Sequence, residues 1–517
     1  EWREFRAGDR GEPMGRAGWE LAFEAPGGRA DIGIFPRWDI RYLYTFDPKM
    51  RAVVQGSAAA SGHVPIHYRE SRTGRAYCDK SCSNPSPDGF GRVVSVDTRP
   101  TIYLSLPTSD DQRPEDATRE AGLTTFGDWG PDLAHLPDFA YIAYLTSGDW
   151  YLAEEIRFWA AWAVGFSNPA DTCHWCRHLD YGYTMTEVRG LAWALRGIAH
   201  ASVLSENESP EKDYFTAKFN NQVAVWEGRF DIQTGSFYEP CPAGKVNPSA
   251  ASRWCWGRTN FVTVPGPNPL YQFDRRPAGP MEKIPAFWTQ SDFGPGGKLP
   301  RPGAVAGYGA FGEWMHWYHY VVTGHALELG FDQVAELHAR TITRLLTLLR
   351  SPKYNPYLVC AYVTPEFRCE PKYDGATGKT VCTPAGYITD PGEMLAVFKE
   401  ERDNPGAKVH RGVRDFSVNE GDAQHGYAQI ARGAASFLAP LTWEGMSGRE
   451  AWEWIQPKVA RDVQNDDPRW AFVPRDTSDL VAAYRDRIEG GSASRAVPDT
   501  AVTGNGKSKK KKPVRDR

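Results

Sequence analysis

Carboxylate, imidazole and guanidinium side chains gather in four short clusters along this 517-residue chain. In chain order the clusters are Asp128, Asp132, His135 and Asp138; Asp180, Tyr183, Glu187 and Arg189; Tyr308, Glu313, Trp314, His316, Trp317 and His319; and Asp422, His425 and Tyr427. Each lies near the predicted start of a helix, where side chains that converge on one pocket could transfer protons. A structural interpretation competes, because Asp132 and Asp138 could cap helices and His135 could be a packing histidine.

The chain also carries many aromatic rings: 19 Trp, 23 Tyr and 24 Phe. Rings at helical spacing indicate a packed core, whereas rings in Pro-rich and Gly-rich segments could either stack on the apolar faces of sugars or fix the loops in place. The residues predicted to contact a glycan are Trp193, Trp254, Trp256, Trp288, Trp317 and Arg258.

The net charge of -4 is unevenly distributed. Residues 507–517 contain seven Lys or Arg and one Asp, hence +6, which leaves -10 for the rest of the chain. An acidic body argues against a general nucleic-acid binder, since neutralising phosphates requires a basic surface. We interpret the basic end as a disordered tail, with a localisation or surface-anchoring signal as the alternative.

The nine cysteines fall mostly in close groups, which favours local disulfides. The alternative is a metal site at Cys173, Cys176 and His178, although a second CxxC pair at normal spacing is missing. We therefore predict neither a metal nor a cofactor. No signal peptide is visible after Glu1, which could be a processed start, and we expect a secreted, periplasmic or cell-surface protein.

Other protein classes lack their sequence signals. The longest apolar run, 158–166, is shorter than the ~20 residues that a membrane helix needs, so we predict no membrane-spanning segment. The sequence contains no P-loop, no Rossmann fingerprint in a strand-helix context, no H-E-x-x-H and no G-x-S-x-G. Nucleotide-driven chemistry, zincin proteolysis and α/β-hydrolase esterolysis therefore lose support.

Hydrophobic periodicity divides the chain into three parts. Short runs such as Arg41–Phe46 predict a β-rich, sandwich-like domain over residues 1–115. Apolar residues then recur at helical spacing, and paired helices, the first of them stopped by Gly148 and a later one by Gly324, predict an α/α toroid of helical hairpins over 125–485. An open α-solenoid is the alternative, and 486–517 is the predicted basic tail.

Two motifs carry a resemblance to a known family. His135-Leu-Pro-Asp138 before an aromatic helix, and Arg189-Gly-Leu-Ala-Trp-Ala-Leu-Arg196, resemble the six-hairpin-glycosidase-like group of carbohydrate-active proteins, and within it the exo-rhamnogalacturonan-lyase-like branch. The resemblance covers about residues 125–455. It implies an α/α toroid with a sugar-binding funnel, and cleavage of a glycosidic bond by hydrolysis or by elimination.

The two reactions need different residues. An inverting hydrolase uses an acid and a base about 6.5–9.5 Å apart, and Glu187 with Glu313 is the favoured pair, with Asp138 or Asp422 as substitutes. A lyase needs a base, an acid and a cation for the uronate carboxylate. The lyase candidates are His135 or His425, Tyr183 or Tyr427, and Arg189.

We favour a polysaccharide hydrolase, because a β domain placed before the toroid implies hydrolysis among such proteins, whereas the resemblance to the lyase-like branch implies elimination. A polysaccharide lyase is the main alternative. A non-catalytic glycan-binding or surface-assembly protein and an α-solenoid scaffold also remain open.

Overall fold

The computed structural model describes the chain in separate stretches. They are residues 1–8, 10–12, 15–18, 30–64, 66–70, 89–97, 99, 102, 104, 133–166, 188–227, 261–265, 283–287, 308–311, 313–350, 356, 359, 364–374, 379–387, 424–458, 468–470 and 473–490. The domain boundary predicted near residues 108–125 and the part of the predicted tail beyond residue 490 lie outside them.

The described stretches are mainly helical. The α-helices are α1 (Trp2–Phe5), α2 (Arg37–Thr45), α3 (Pro48–Ala60), α4 (Tyr141–Ser147), α5 (Trp150–Gly165), α6 (Val188–Leu204), α7 (Pro210–Glu227), α8 (Glu313–Glu328), α9 (Ala335–Arg350), α10 (Gln424–Ala434), α11 (Gly448–Ile455) and α12 (Ser478–Gly490). Short 3₁₀ turns occupy Ser61–His63, Leu133–His135, Asp332–Val334, Ala435–Phe437 and Pro468–Trp470.

Strands form three small antiparallel sheets in the same stretches. β1 (Phe261–Pro265) pairs with β2 (Lys283–Phe287), and β6 (Thr442–Trp443) pairs with β7 (Met446–Ser447). β3 (Tyr308–Phe311), β4 (Thr364–Asp374) and β5 (Lys379–Tyr387) form the third sheet in that order, with Phe367 opposite Tyr387.

The predicted fold class, a β-rich N-terminal domain followed by an α/α toroid, is wrong. Within the described part of residues 1–115, the regular elements are α1, α2, α3 and a 3₁₀ turn, and the antiparallel pairing is an isolated bridge between Arg69 and Val93. Arg41–Phe46, interpreted as a strand, belongs to α2, whose Trp38 and Tyr42 lie one helical turn apart and face the core. Asp47 then caps α3 by accepting a hydrogen bond from the Lys49 amide (2.7 Å), and Pro48 occupies the first helical position.

The later helices agree better with their predictions. Helices predicted over 139–149 and 150–164 form as α4 and α5, and Gly148 ends α4 in the left-handed region (φ 71°). Gly324, however, does not end α8, which continues to Glu328. A methyl group at Gly324 would lie 2.2 Å from Cζ of Phe437, so glycine permits close helix packing here.

Helix packing brings distant parts of the chain to one place. α6 packs against α5, α7 and α8, and α8 packs in turn against α9 and α10. The turn Pro468–Trp470 contacts both α10 and α2, and Arg469 donates a hydrogen bond to the Ile32 carbonyl. The segment before α2 therefore lies in the same core as α6 and α8.

Candidate functional site

Asp138 is the centre of a buried polar cluster in front of α4. Its Oδ1 accepts a hydrogen bond from the Tyr141 amide (3.1 Å), so Asp138 is a helix cap, as one interpretation of the sequence predicted. Its Oδ2 accepts a hydrogen bond from Nδ1 of His200 and lies 3.8 Å from Nε of Arg196. One carboxylate thus joins α4 to two cationic or polar side chains of α6.

The surroundings of Asp138 favour its ionised form. Burial would raise the pKa of the Asp138 carboxyl, but the interactions with His200, Arg196 and the Tyr141 amide outweigh burial and lower it. Burial lowers the pKa of Arg196 to about 10, so its guanidinium stays charged at neutral pH. Burial also lowers the pKa of His200 to about 4, which leaves this imidazole neutral.

Asp39, on α2, is a second buried carboxyl next to the cluster. Its side chain is fully buried, and neither oxygen has a hydrogen-bond partner among the residues that the structure describes. Burial, followed by repulsion from Asp138 and Glu1, raises the pKa of Asp39 well above its usual value. The two carboxyls therefore differ, with Asp39 favoured as the acid and Asp138 as the carboxylate.

Two histidines extend the cluster from Asp138 towards the surface. Nε2 of His200 lies 2.8 Å from Nε2 of His325, on α8. Nδ1 of His325 lies 3.7 Å from Oε2 of Glu328, whose side chain is 42% exposed and also pairs with Arg475 (2.7 Å). Asp138, His200, His325 and Glu328 therefore form one continuous line of polar groups.

Aromatic rings enclose this line of polar groups. The Tyr141 ring stacks on His200 with 3.7 Å between centroids, and Phe35 stacks on Tyr141 (5.7 Å). Phe35 also meets His325 edge to face (5.4 Å). Burial and the charge of Asp138 raise the pKa of Tyr141 to about 12, so its phenol remains protonated. These rings pack against both imidazoles and restrict their orientation.

The cluster also contains the first sequence-predicted residues to meet in space. Nη2 of Arg189 lies 3.3 Å from Nε2 of His135, and both side chains are buried. Two turns further along α6, Nη2 of Arg196 donates a hydrogen bond to the Leu136 carbonyl (2.8 Å). The predicted stripe on α6 thus packs along the segment that carries His135 and Asp138.

The other predicted site residues lie elsewhere or outside the description. Trp193 and Trp317 are fully buried: Trp193 packs edge to face on Tyr318 (4.9 Å), and the indole N–H of Trp317 donates to the Val359 carbonyl (2.5 Å). Glu313 begins α8, and His425 and Tyr427 belong to α10, but their side chains lie outside the described ones. The following predicted site residues lie outside the described residues: Tyr183, Glu187, Trp254, Trp256, Trp288, Arg258 and Asp422.

Sequence reasoning did not single out Asp39, His200 or His325. His200 continues the stripe of Arg189 and Arg196 by one further turn of α6, so extending that stripe would have found it. His325 lies after Gly324, where the helix was predicted to end. Asp39 gave no signal, because its segment was interpreted as part of a β domain.

The arrangement can hold and transfer protons, since it combines an acid, a carboxylate and two imidazoles. Among the side chains that the structure describes, no group of three or more His, Cys, Asp or Glu is arranged to hold a metal ion. The cysteine side chains, and with them the predicted disulfides and the alternative metal site at Cys173–His178, lie outside this description.

No helix in the described part of the chain is both long and apolar enough to span a membrane.

Comparisons of the chain with protein-family models, with curated proteins and with solved structures gave no match.

Proposed function

We propose that this protein is a carbohydrate-active enzyme that hydrolyses a glycosidic bond by general acid and base catalysis. The observation that carries the proposal is the opposite displacement of two neighbouring carboxyl pKa values, raised for Asp39 and lowered for Asp138. Glycosidases use such a pair, in which one carboxyl supplies a proton while the other acts as a carboxylate.

The two carboxyls have complementary roles in this proposal. Asp39 protonates the oxygen of the leaving sugar, and Asp138 removes a proton from the attacking water. The hydrogen bond from His200 and the charge of Arg196 keep Asp138 ionised and oriented. Arg196 and His200 touch Asp138 and act through it, so they are positioning residues.

The site assignment differs from the favoured pair in the sequence. Glu187 and Glu313 stay candidates, since Glu187 directly precedes α6 and Glu313 begins α8, the two helices that supply His200 and His325. Asp138 moves from substitute to central residue because it accepts a hydrogen bond from His200 of α6 and lies 3.8 Å from Nε of Arg196 on the same helix.

Elimination is the second candidate, and the contact between His135 and Arg189 favours it. An imidazole beside a guanidinium combines a possible base with a cation that could neutralise a uronate carboxylate. Tyr141, whose phenol stays protonated, could then serve as the acid.

One assay distinguishes the two reactions. The protein is incubated with a panel of neutral and uronate-containing polysaccharides, and both new reducing ends and the absorbance of unsaturated uronates are recorded. Hydrolysis predicts reducing ends without absorbance, in products that incorporate ¹⁸O from labelled water. Absorbance would instead establish the lyase, and the absence of any product on every glycan would contradict both enzymatic functions.

A further inference from the structure

In the proposed hydrolysis Asp39 gives up a proton and Asp138 takes one up, yet both carboxyls are buried. Asp39 is fully buried and Asp138 is 7% exposed. After each turnover Asp138 must therefore exchange its proton with the solvent, and Asp39 must regain one. The cluster therefore needs a route for protons that does not depend on opening the core to water.

The line from Glu328 to Asp138 has the contacts that such a route requires. Its first step, from Glu328 Oε2 to His325 Nδ1, spans 3.7 Å, and its second, between the Nε2 atoms of His325 and His200, spans 2.8 Å. The third is the hydrogen bond between His200 Nδ1 and Asp138 Oδ2. Proton transfer needs heavy atoms about 2.6–3.2 Å apart or bridged by one water, and the longest step lies at the exposed end.

The hydrogen bonds also determine the resting tautomers. A carboxylate can only accept, so Nδ1 of His200 carries the proton that Asp138 receives. His200 is neutral, so its Nε2 has a lone pair and accepts a proton from Nε2 of His325. The other ring nitrogen of His325, Nδ1, faces Glu328.

We propose that His325 and His200 form a proton relay that connects the surface at Glu328 with the buried carboxyl of Asp138. A proton from solvent or from Glu328 binds Nδ1 of His325. The Nε2 proton of His325 moves to Nε2 of His200, and the Nδ1 proton of His200 moves to Oδ2 of Asp138. The first transfer breaks an O–H bond and forms an N–H bond, and each later transfer breaks one N–H bond and forms one N–H or O–H bond. One positive charge enters and neutralises one carboxylate.

The groups around the imidazoles favour transfer over storage of the proton. Three polar groups face His200: Asp138 in the segment before α4, Arg196 on the same helix, and His325 on α8. The rings of Tyr141 and Phe35 stack on His200. His325 faces His200 and Glu328, and Glu328 in turn pairs with Arg475. Burial and Arg196 disfavour a lasting imidazolium at His200, so the charge passes through to the carboxylate.

The relay rests on the proposed function for its purpose, but its test needs no substrate. Nitrogen-edited NMR of histidine side chains at neutral pH should show the proton of His200 on Nδ1 and that of His325 on Nε2. The same spectra of Asp138→Asn should show a change at His200. A His200 proton on Nε2 in the wild-type protein would overturn the relay.

The rate at which Asp138 becomes protonated tests proton transfer along the relay. After a rapid drop in pH, infrared spectroscopy follows the appearance of the protonated carboxyl of Asp138, assigned by its absence from Asp138→Asn. His325→Gln, which cannot pass a proton, should slow this step by about 100-fold, the low end of what a positioned proton-transfer group contributes. Glu328→Gln, at the exposed end of the relay, should slow protonation of Asp138 less than His325→Gln does. Glu328→Gln also keeps the relay testable if His325→Gln does not fold.

His67→Gln is the matched control, because His67 also contacts a buried carboxylate, Glu155 (2.8 Å), in another part of the core. Its rate should equal that of the wild type. Equal rates for folded His325→Gln, Glu328→Gln and the wild type would overturn the relay. A protein with the relay but without activity on any glycan would contradict the proposed function alone.

Discussion

Asp39 and Asp138 lie in the same buried cluster and repel each other, and their pKa values are displaced in opposite directions. The difference arises from their partners: Asp138 accepts hydrogen bonds from His200 and from the Tyr141 amide, whereas the carboxyl oxygens of Asp39 have no hydrogen-bond partner in the described part of the chain. One carboxyl is therefore a stable anion and the other a stable acid, which is the basis of the predictions below.

Removing the charge of Asp138 should destabilise the protein strongly. Asp138→Asn leaves the buried guanidinium of Arg196 without its carboxylate, and breaking one side of a buried ion pair costs about 3–5 kcal/mol. Urea unfolding at neutral pH measures the change. The control is Glu450→Gln, which removes an exposed partner of Arg350 and should cost less than about 1 kcal/mol. A loss for Asp138→Asn no larger than that of the control would show that the cluster is not held by this carboxylate.

Asp39 should have the opposite pH dependence from an ordinary ion-paired carboxyl. Its folded pKa lies above its unfolded pKa, so the folded state binds more protons between the two values. The contribution of Asp39 to stability is present at low pH and is lost as the pH rises towards the folded pKa. Asp39→Asn should therefore remove this loss, and the difference in the free energy of unfolding between variant and wild type should grow with pH above about 4. A pH-independent difference would contradict a raised pKa.

Three buried histidines should make the whole protein sensitive to acid. Burial lowers the pKa values of His200 and His319 to about 4 and that of His338 to about 3. Below about pH 6.5 the unfolded state takes up protons that the folded state does not, so stability falls as the pH falls towards 4. Each histidine contributes up to about 1.4 kcal/mol per pH unit.

Chemical unfolding at several pH values checks this slope. The three histidines outweigh the single opposing contribution of Asp39, so the net free energy of unfolding should decrease from pH 6.5 to pH 4.5. A constant or rising free energy over this range would mean that the imidazoles are not neutral in the folded protein.

Two helical glycines should respond in opposite ways to an added methyl group. Gly324→Ala places Cβ against the Phe437 ring and should destabilise the protein by about 1–3 kcal/mol, because the packed helix has to move. At Gly197, within α6, no atom lies within 4 Å of the new Cβ, so Gly197→Ala should stabilise by about 0.5–1 kcal/mol through helix propensity. Thermal unfolding of both variants measures the pair. The same sign of change in both would contradict the packing of α8 on Ala435–Phe437.

Local sequence patterns predict individual helices, whereas contacts between distant parts of the chain leave no local pattern. Amphipathic periodicity and a glycine cap predicted α4 and α5, and the spacing of Asp138 before an aromatic helix predicted its capping role. The strand prediction failed at α2, although the cap formed by Asp47 and Pro48 at the start of the next helix, α3, is a helical signal in the same segment. His200 and His325 are 125 residues apart, and no local pattern could predict that their Nε2 atoms meet.

The most direct test of the proposed function compares glycosidic cleavage by four proteins: the wild type, Asp39→Asn, Asp138→Asn and Glu155→Gln. Glu155 is a buried carboxylate paired with His67 outside the cluster, so it controls for the loss of a buried charge. New reducing ends are measured on the polysaccharide that the wild type cleaves best. We expect losses of about 100-fold or more in both aspartate variants, and activity close to the wild type in Glu155→Gln. Undiminished cleavage by folded Asp39→Asn or Asp138→Asn would contradict their roles as acid and base.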